Sequence, residues 1–298
     1  MPGGIISSYG TSRGSHRYHG HAHGVSMKKN LARAAVYLFT FILTAFIVLC
    51  VNLFYDGPSA AVLMYHSVGA PNGRTTCLDV TEEAFARQMA FLHARGFHVI
   101  RLAELADILR RGEKVKPRTV VITFDDGYDN NYTKAFPILK KYGFPATIFV
   151  IAGRLGEDYD VARGVSARIV TPQMMQDMVA SGLIDIGSHT KHHYYLPDVR
   201  NEALLWEEIR GSRTFLESAV GASVVSLAYP LGGYTRQAEE MARRAGYAVA
   251  VTTNKKDPRT GADLFALKRI RISHSSGNML IFFLEASGYY PRLKRLSS

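Results

Sequence analysis

"VVITFDDGYDNNY", residues 120–132, carries an apolar, β-branched run to its end and there sets two aspartates side by side, Asp125 and Asp126, ahead of Gly127. Adjacent carboxylates raise the cost of ionising one another, so something cationic supplied elsewhere must hold them. The run itself fits a short strand buried on both faces. Working outward, the same rhythm recurs in "AAVLMYHSV", "FHVI", "ATIFVIA", "LIDIGS", "VVSLAY" and "YAVAVTT". Helical patterns lie between. Thr81 caps one that places Phe85, Met89 and Leu92 on a single face and stops at Gly96. Residues 131–142 form another, closed by Gly143, and Thr171 caps a third with Pro172 in its first turn. Residues 201–220 and "RQAEEMARRAG" complete the set. Two-sided apolar strands alternating with helices predict a parallel sheet, open or closed into a barrel, with residues 60–298 as one domain.

The chain of 298 residues is 47% hydrophobic, enough for a substantial core. Its formal charge is +11, and residues 1–34 hold Arg13, Arg17, Lys28, Lys29 and Arg33 with no acidic residue. Together with the "RLKR" near the C-terminus, this reads as basic flanks around a membrane segment and not as a nucleic acid interface. Residues 34–55, "AAVYLFTFILTAFIVLCVNLFY", contain no charged side chain and are long enough for one transmembrane helix. Lys28, Lys29 and Arg33 before it leave the N-terminus in the cytoplasm and the remainder outside, as in a single-pass protein of a bacterial cytoplasmic membrane. No small-x-small cleavage pattern follows, so an uncleaved signal-anchor is expected. Residues 1–33, rich in Gly, Ser and His, read as a disordered cytoplasmic tail. Outside the membrane only Cys77 remains, which excludes an internal disulfide and leaves packing to stabilise the domain.

In parallel α/β sheets, ligands collect at the carboxyl ends of the strands. The polar residues that interrupt the apolar runs fall there: His66, Asp125 and Asp126, Ser188 and His189, Tyr229 and Pro230. In "GSHTKHHYY", His189 and His193 stand four apart, a spacing that lets two imidazoles share one ion and aims His192 elsewhere. One aspartate with two histidines is a three-ligand set with open positions, characteristic of catalytic zinc. A divalent ion there neutralises one carboxylate and keeps its neighbour ionised as a base, which answers the question the paired aspartates raise. Zinc, cobalt, nickel and iron all suit such a set.

From Ala61 to Ile272 the chain resembles the polysaccharide deacetylases, the NodB homology domain of carbohydrate esterase family four. The likeness rests on "LMYHSV", "TFDDGY", "FPATIFV", "IGSHTKHH", "LAYPLGG" and "AGYAVAVTT", in that order. It implies a distorted (β/α) barrel and metal-dependent removal of acetyl groups from N-acetylated sugars. By motif position, Asp125 is the general base, while Asp126, His189 and His193 hold the metal, and Thr190 braces their loop. His274, the only histidine after His193, is the candidate general acid, with His66 as the alternative. Many relatives carry an arginine in the third motif where this chain has Ala228 and Tyr229. The departure resembles the branch acting on exported poly-N-acetylglucosamine, and Arg269 or Arg271 is available to replace the missing cation. Tyr229 and Pro230 are expected to shape the pocket and present backbone donors, and Trp206 to pack in the core. The expected function is deacetylation of an N-acetylhexosamine polysaccharide at the cell envelope. A deacetylase or deformylase of a lipid-linked sugar is the near alternative. A non-catalytic carbohydrate-binding protein is the distant one, and Asp125 argues against it.

Overall fold

The computed structural model describes residues 21–54, 60–69, 76–160, 166–253 and 263–288. The expectations for residues 1–20 and for the "RLKR" tail lie outside them. The chain divides into two units, Met1–Asp56 and Gly57–Ser298. In the first, helix α1 (His21–Phe54) begins inside the segment read as an unstructured tail and continues through the apolar stretch. Its window Asn30–Ile47 is long and apolar enough to cross a membrane, and the side chains there are exposed.

The second unit follows the expected alternation. Strand β1 (Ala61–Tyr65) leads to helix α2 (Glu82–Ala94), whose first turn is capped by the Thr81 hydroxyl accepting from the Ala84 N–H. Short strand β2 (His98–Val99) and helix α3 (Leu102–Arg110) precede β3 (Thr119–Phe124). A π turn (Asn131–Ala135) runs into α4 (Phe136–Tyr142), which ends on left-handed Gly143. Strand β4 (Ala146–Val150) is followed by an antiparallel pair, β5 (Asp158–Asp160) and β6 (Ser166–Arg168), that the sequence did not announce. Helix α5 (Pro172–Ala180) is capped by Thr171, and β7 (Ile184–Ser188) follows. The segment read as one long helix is α6 (Glu202–Trp206), a π turn (Glu207–Gly211) and α7 (Ser212–Val220). Strand β8 (Ser226–Ala228), α8 (Arg236–Arg244), β9 (Val249–Thr252), β10 (Leu267–Lys268), β11 (Ile270–Arg271) and α9 (Met279–Ala286) complete it.

The main sheet runs in the order β10-β9-β8-β7-β4-β3-β1-β11, all parallel, with β2 on the first half of β3. Its two end strands are joined in sequence through one residue, Arg269, so the sheet wraps into a nearly closed barrel ringed by helices, as expected. Two apolar clusters occupy its two faces. The larger packs the outer face against the helices and includes Leu63, Ile122 and Ile148. The smaller fills the interior with Val62, Val121, Phe149, Val249 and Val251, joined by Leu102, Leu105 and Ala106 of α3. Alternation along β3 then carries Val121, Thr123 and Asp125 to the interior face.

Candidate active site

The two aspartates part company because the backbone turns between them. The Asp125 N–H donates to the Tyr65 carbonyl at 2.9 Å, continuing the pairing with β1. Asp126 and Gly127 then adopt φ values of 69° and 77°. A Cβ on Gly127 would stand 3.0 Å from Val150, so the turn needs glycine for space as well as for conformation. Both carboxylates are buried, Asp125 to 3% and Asp126 to 1% exposure.

Asp125 meets a guanidinium. Arg269 Nη1 donates to Oδ1 at 2.5 Å and Nη2 to Oδ2 at 2.6 Å, a bidentate pair in the barrel interior. Nη1 also reaches Thr123 Oγ1 at 3.3 Å, and the guanidinium lies 5.4 Å from the Phe149 ring centroid. Burial pushes the Asp125 carboxyl up, but Arg269, His189 and His66 outweigh it and hold the group well below the usual carboxylate range. Of the two arginines open to this role, the seam of the barrel selects Arg269; Arg271 is exposed.

Asp126 meets the imidazoles instead. His189 Nε2 and His193 Nε2 each stand 3.5 Å from Asp126 Oδ1, and the three groups offer ligand atoms within 4.8 Å of one another. Ligand atoms around a tetrahedral zinc at about 2.0–2.1 Å are about 3.3 Å apart, so this spacing fits a shared ion. Two further observations fit it. Asp126 Oδ2 is buried with no hydrogen-bond partner among the described residues. His189 Nδ1 bonds the Ala228 carbonyl at 2.8 Å, which fixes the proton on Nδ1 and leaves the Nε2 lone pair facing Asp126. Burial lowers the His189 pKa to about 3, so the ring is neutral at physiological pH. Burial, reinforced by the charge on Asp125 and opposed by His66, raises Asp126 to about 6. A carboxyl left so costly to ionise is stabilised by a cation in contact with it.

The turn carrying the histidines is tightly bent. Thr190 and His193 have φ values of 64° and 63°, a conformation that costs non-glycine residues on the order of 1 kcal/mol each. Thr190 Oγ1 accepts the His193 N–H at 3.2 Å, and the Thr190 N–H donates to Ser188 Oγ at 3.1 Å. Ser188 Oγ is in turn 2.8 Å from Ser212 Oγ on α7.

The remaining expected residues are placed as follows. His66 is half-buried, close enough to lower the pKa of both carboxylates, and its Nδ1 has no hydrogen-bond partner among the described residues. His274 is exposed in the turn His274–Gly277, where its N–H meets the Cys77 carbonyl at 3.4 Å. Among the described residues, the His274 ring forms no hydrogen bond or ion pair. Tyr229 and Pro230 correct an expectation. The Tyr229 N–H is spent on the Val251 carbonyl at 3.1 Å and proline has no N–H, so neither presents a backbone donor to the site. The Tyr229 ring instead stacks on Tyr234 within the core. It is the carbonyl of the preceding Ala228 that serves the site. Trp206 is half-buried against the core under Arg244.

A family profile described as polysaccharide deacetylase matches residues 112–250. The protein YxkH of Bacillus subtilis (strain 168), whose name assigns it to polysaccharide deacetylation, is 31% identical over 226 residues, covering 76% of each chain. The poly-beta-1,6-N-acetyl-D-glucosamine N-deacetylase of Staphylococcus epidermidis is 26% identical over 249 residues, covering 77% of this chain and 84% of that one. The solved structure of IcaB from Ammonifex degensii superposes with a TM-score of 0.66 at 28% identity, over 77% of this chain and 98% of that chain. The chain described here belongs to the polysaccharide deacetylase family.

Proposed function

We propose that this chain is a metal-dependent hydrolase that removes N-acetyl groups from an N-acetylhexosamine polysaccharide of the poly-β-1,6-N-acetylglucosamine type, held at the outer side of the cytoplasmic membrane by α1. The observation that carries the reading is the convergence of Asp126, His189 and His193 beside an Asp125 kept ionised by Arg269. The names of the staphylococcal relatives support the substrate class.

Asp126, His189 and His193 would hold a divalent ion, zinc or one of its neighbours. Bound there, such an ion supplies Lewis-acid polarisation of the acetamide carbonyl and acidifies water. The chain's own groups do the rest. Asp125 Oδ2, which faces His189 Nε2 at 4.0 Å, is the atom that accepts a proton from the attacking water. Arg269 keeps that atom ionised and fixed in orientation. The water oxygen bonds to the acetyl carbon, the C–N bond breaks, and acetate and the free amine of the sugar result. The leaving nitrogen must gain a proton, and we assign that role to half-buried His66, which follows the Tyr65 whose carbonyl accepts the Asp125 N–H, over His274 in its exposed turn.

The test is acetate release from poly-β-1,6-N-acetylglucosamine oligomers by the purified full chain, before and after chelation. The reading predicts release that chelation abolishes and divalent zinc or cobalt restores. Release unaffected by exhaustive chelation would contradict it.

A further inference from the structure

Glu208 is a glutamate with no accessible surface, 0% exposed, on the π turn between α6 and α7. Its Oε2 accepts the N–H of Lys191 at 3.1 Å and of His192 at 2.9 Å, and its Oε1 takes His192 Nδ1 at 2.5 Å. Every one of these bonds goes to the two residues that separate Thr190 from His193. An apolar side chain of the same volume would fill the space without the desolvation cost of a buried carboxylate. A charge retained there therefore serves something besides packing.

The loop needs such support. Two of its residues, Thr190 and His193, sit in left-handed conformations that persist only where the surroundings over-determine them. Part of the restraint comes from the opposite side, where the N–H groups of Ala152 and Gly153 donate to the carbonyls of Thr190 and Lys191 at 3.0 and 2.8 Å. A Cβ on Gly153 would approach the Lys191 oxygen to 2.7 Å, so that side is held by close backbone approach. Glu208 closes the other side with three donors on one carboxylate. The π turn makes this reach possible: one extra residue in the helical turn rotates the phase of the side chains, bringing Glu208 inward between exposed Glu207 and the core residue Ile209.

We propose that Glu208 is the positioning residue of the HTKHH loop, clamping Lys191 and His192 so that His193 Nε2 converges with His189 Nε2 on Asp126. This rests on the reading of those three residues as a metal centre. The hydrogen bonds of Glu208 go to Lys191 and His192, so its effect on the centre would pass through His193. Its loss therefore weakens the ion's hold and alters the coordination geometry while the barrel stays folded.

The experiment uses the full chain in detergent, with Glu208→Ala, Glu208→Met and Glu208→Gln. Met keeps the volume and removes both acceptors. Gln retains one oxygen for the two backbone donors. Zinc affinity is measured by competition with a chromophoric chelator, geometry by the visible spectrum of the cobalt form, and folding by thermal unfolding of the metal-free chain. The Ala and Met variants should bind zinc about 10- to 100-fold more weakly with an altered cobalt spectrum, and Gln should stay within about 3-fold of the parent. Folded Ala or Met variants with parental affinity and spectrum would overturn the proposal. Failure of all three variants to fold would also overturn it, since the carboxylate would then serve the fold and not the loop. A parent that takes up no zinc would overturn the metal-centre reading itself, which is a distinguishable result.

Discussion

Arg269 sets both nitrogens of its guanidinium fork on the two oxygens of Asp125, at 2.5 and 2.6 Å, from the single residue that joins the end strands of the barrel. The pair explains how adjacent aspartates coexist in a buried site. One is neutralised by an arginine from the seam, and the other, raised to about 6 by burial and by the charge on Asp125, is turned toward two imidazoles that could share a cation with it.

Arg269→Met should cut kcat/KM at neutral pH by about 100-fold or more. Burial then acts on Asp125 with its main cation gone, so the carboxyl pKa rises and a smaller fraction is ionised at any given pH. The acid limb of the kcat/KM profile accordingly moves to higher pH. Arg269→Lys keeps the charge but loses the fork, and should fall between the two. Removing one partner of a buried ion pair costs about 3–5 kcal/mol, so thermal unfolding of the Met variant should drop as well. An unmoved acid limb would separate Arg269 from the base.

His66→Ala should lower kcat by about 10²–10⁴-fold, the range expected for loss of a positioned proton donor, whereas His274→Ala should change it by less than about 3-fold. Steady-state acetate release by the two variants decides between the histidines. The reverse order would return the acid role to the exposed turn after β11.

Gly127→Ala should destabilise the chain by about 1–3 kcal/mol, because the new methyl meets Val150 at 3.0 Å in a left-handed conformation. In a unit of this size that corresponds to a fall in Tm of roughly 2–4 °C per kcal/mol. Zinc affinity should fall with it, since Asp126 rides on the same turn. A parental Tm would mean the turn relaxes freely.

Much of the fold is legible in the sequence. Strands β1, β3, β4, β7, β8 and β9 could be read because each is largely apolar on both faces, and the candidate site because His66, Asp125, Asp126 and His189 interrupt those runs at their carboxyl ends. The arginine could not be chosen from sequence. Strands β10 and β11 are two residues each, too short for alternation to say whether Arg269 or Arg271 faces inward, and only closure of the sheet decides it. Glu208 was invisible for a different reason. In an uninterrupted helix it reads as one more solvent-facing glutamate beside Glu207, and the π turn that redirects it leaves no signature in propensity. Tyr229 misled because its place in the motif suggests a backbone donor, while its N–H is spent on the Val251 carbonyl and the group that touches His189 is the backbone carbonyl of Ala228.

The most direct measurement pairs metal content with acetate release for the parent, Asp125→Asn and His189→Ala. One zinc per chain should be found in the parent and in Asp125→Asn, and none in His189→Ala. Acetate release should fall about 10²–10⁴-fold in Asp125→Asn and be absent in His189→Ala. Parental turnover by Asp125→Asn, or a full complement of zinc in His189→Ala, would contradict the account at its centre.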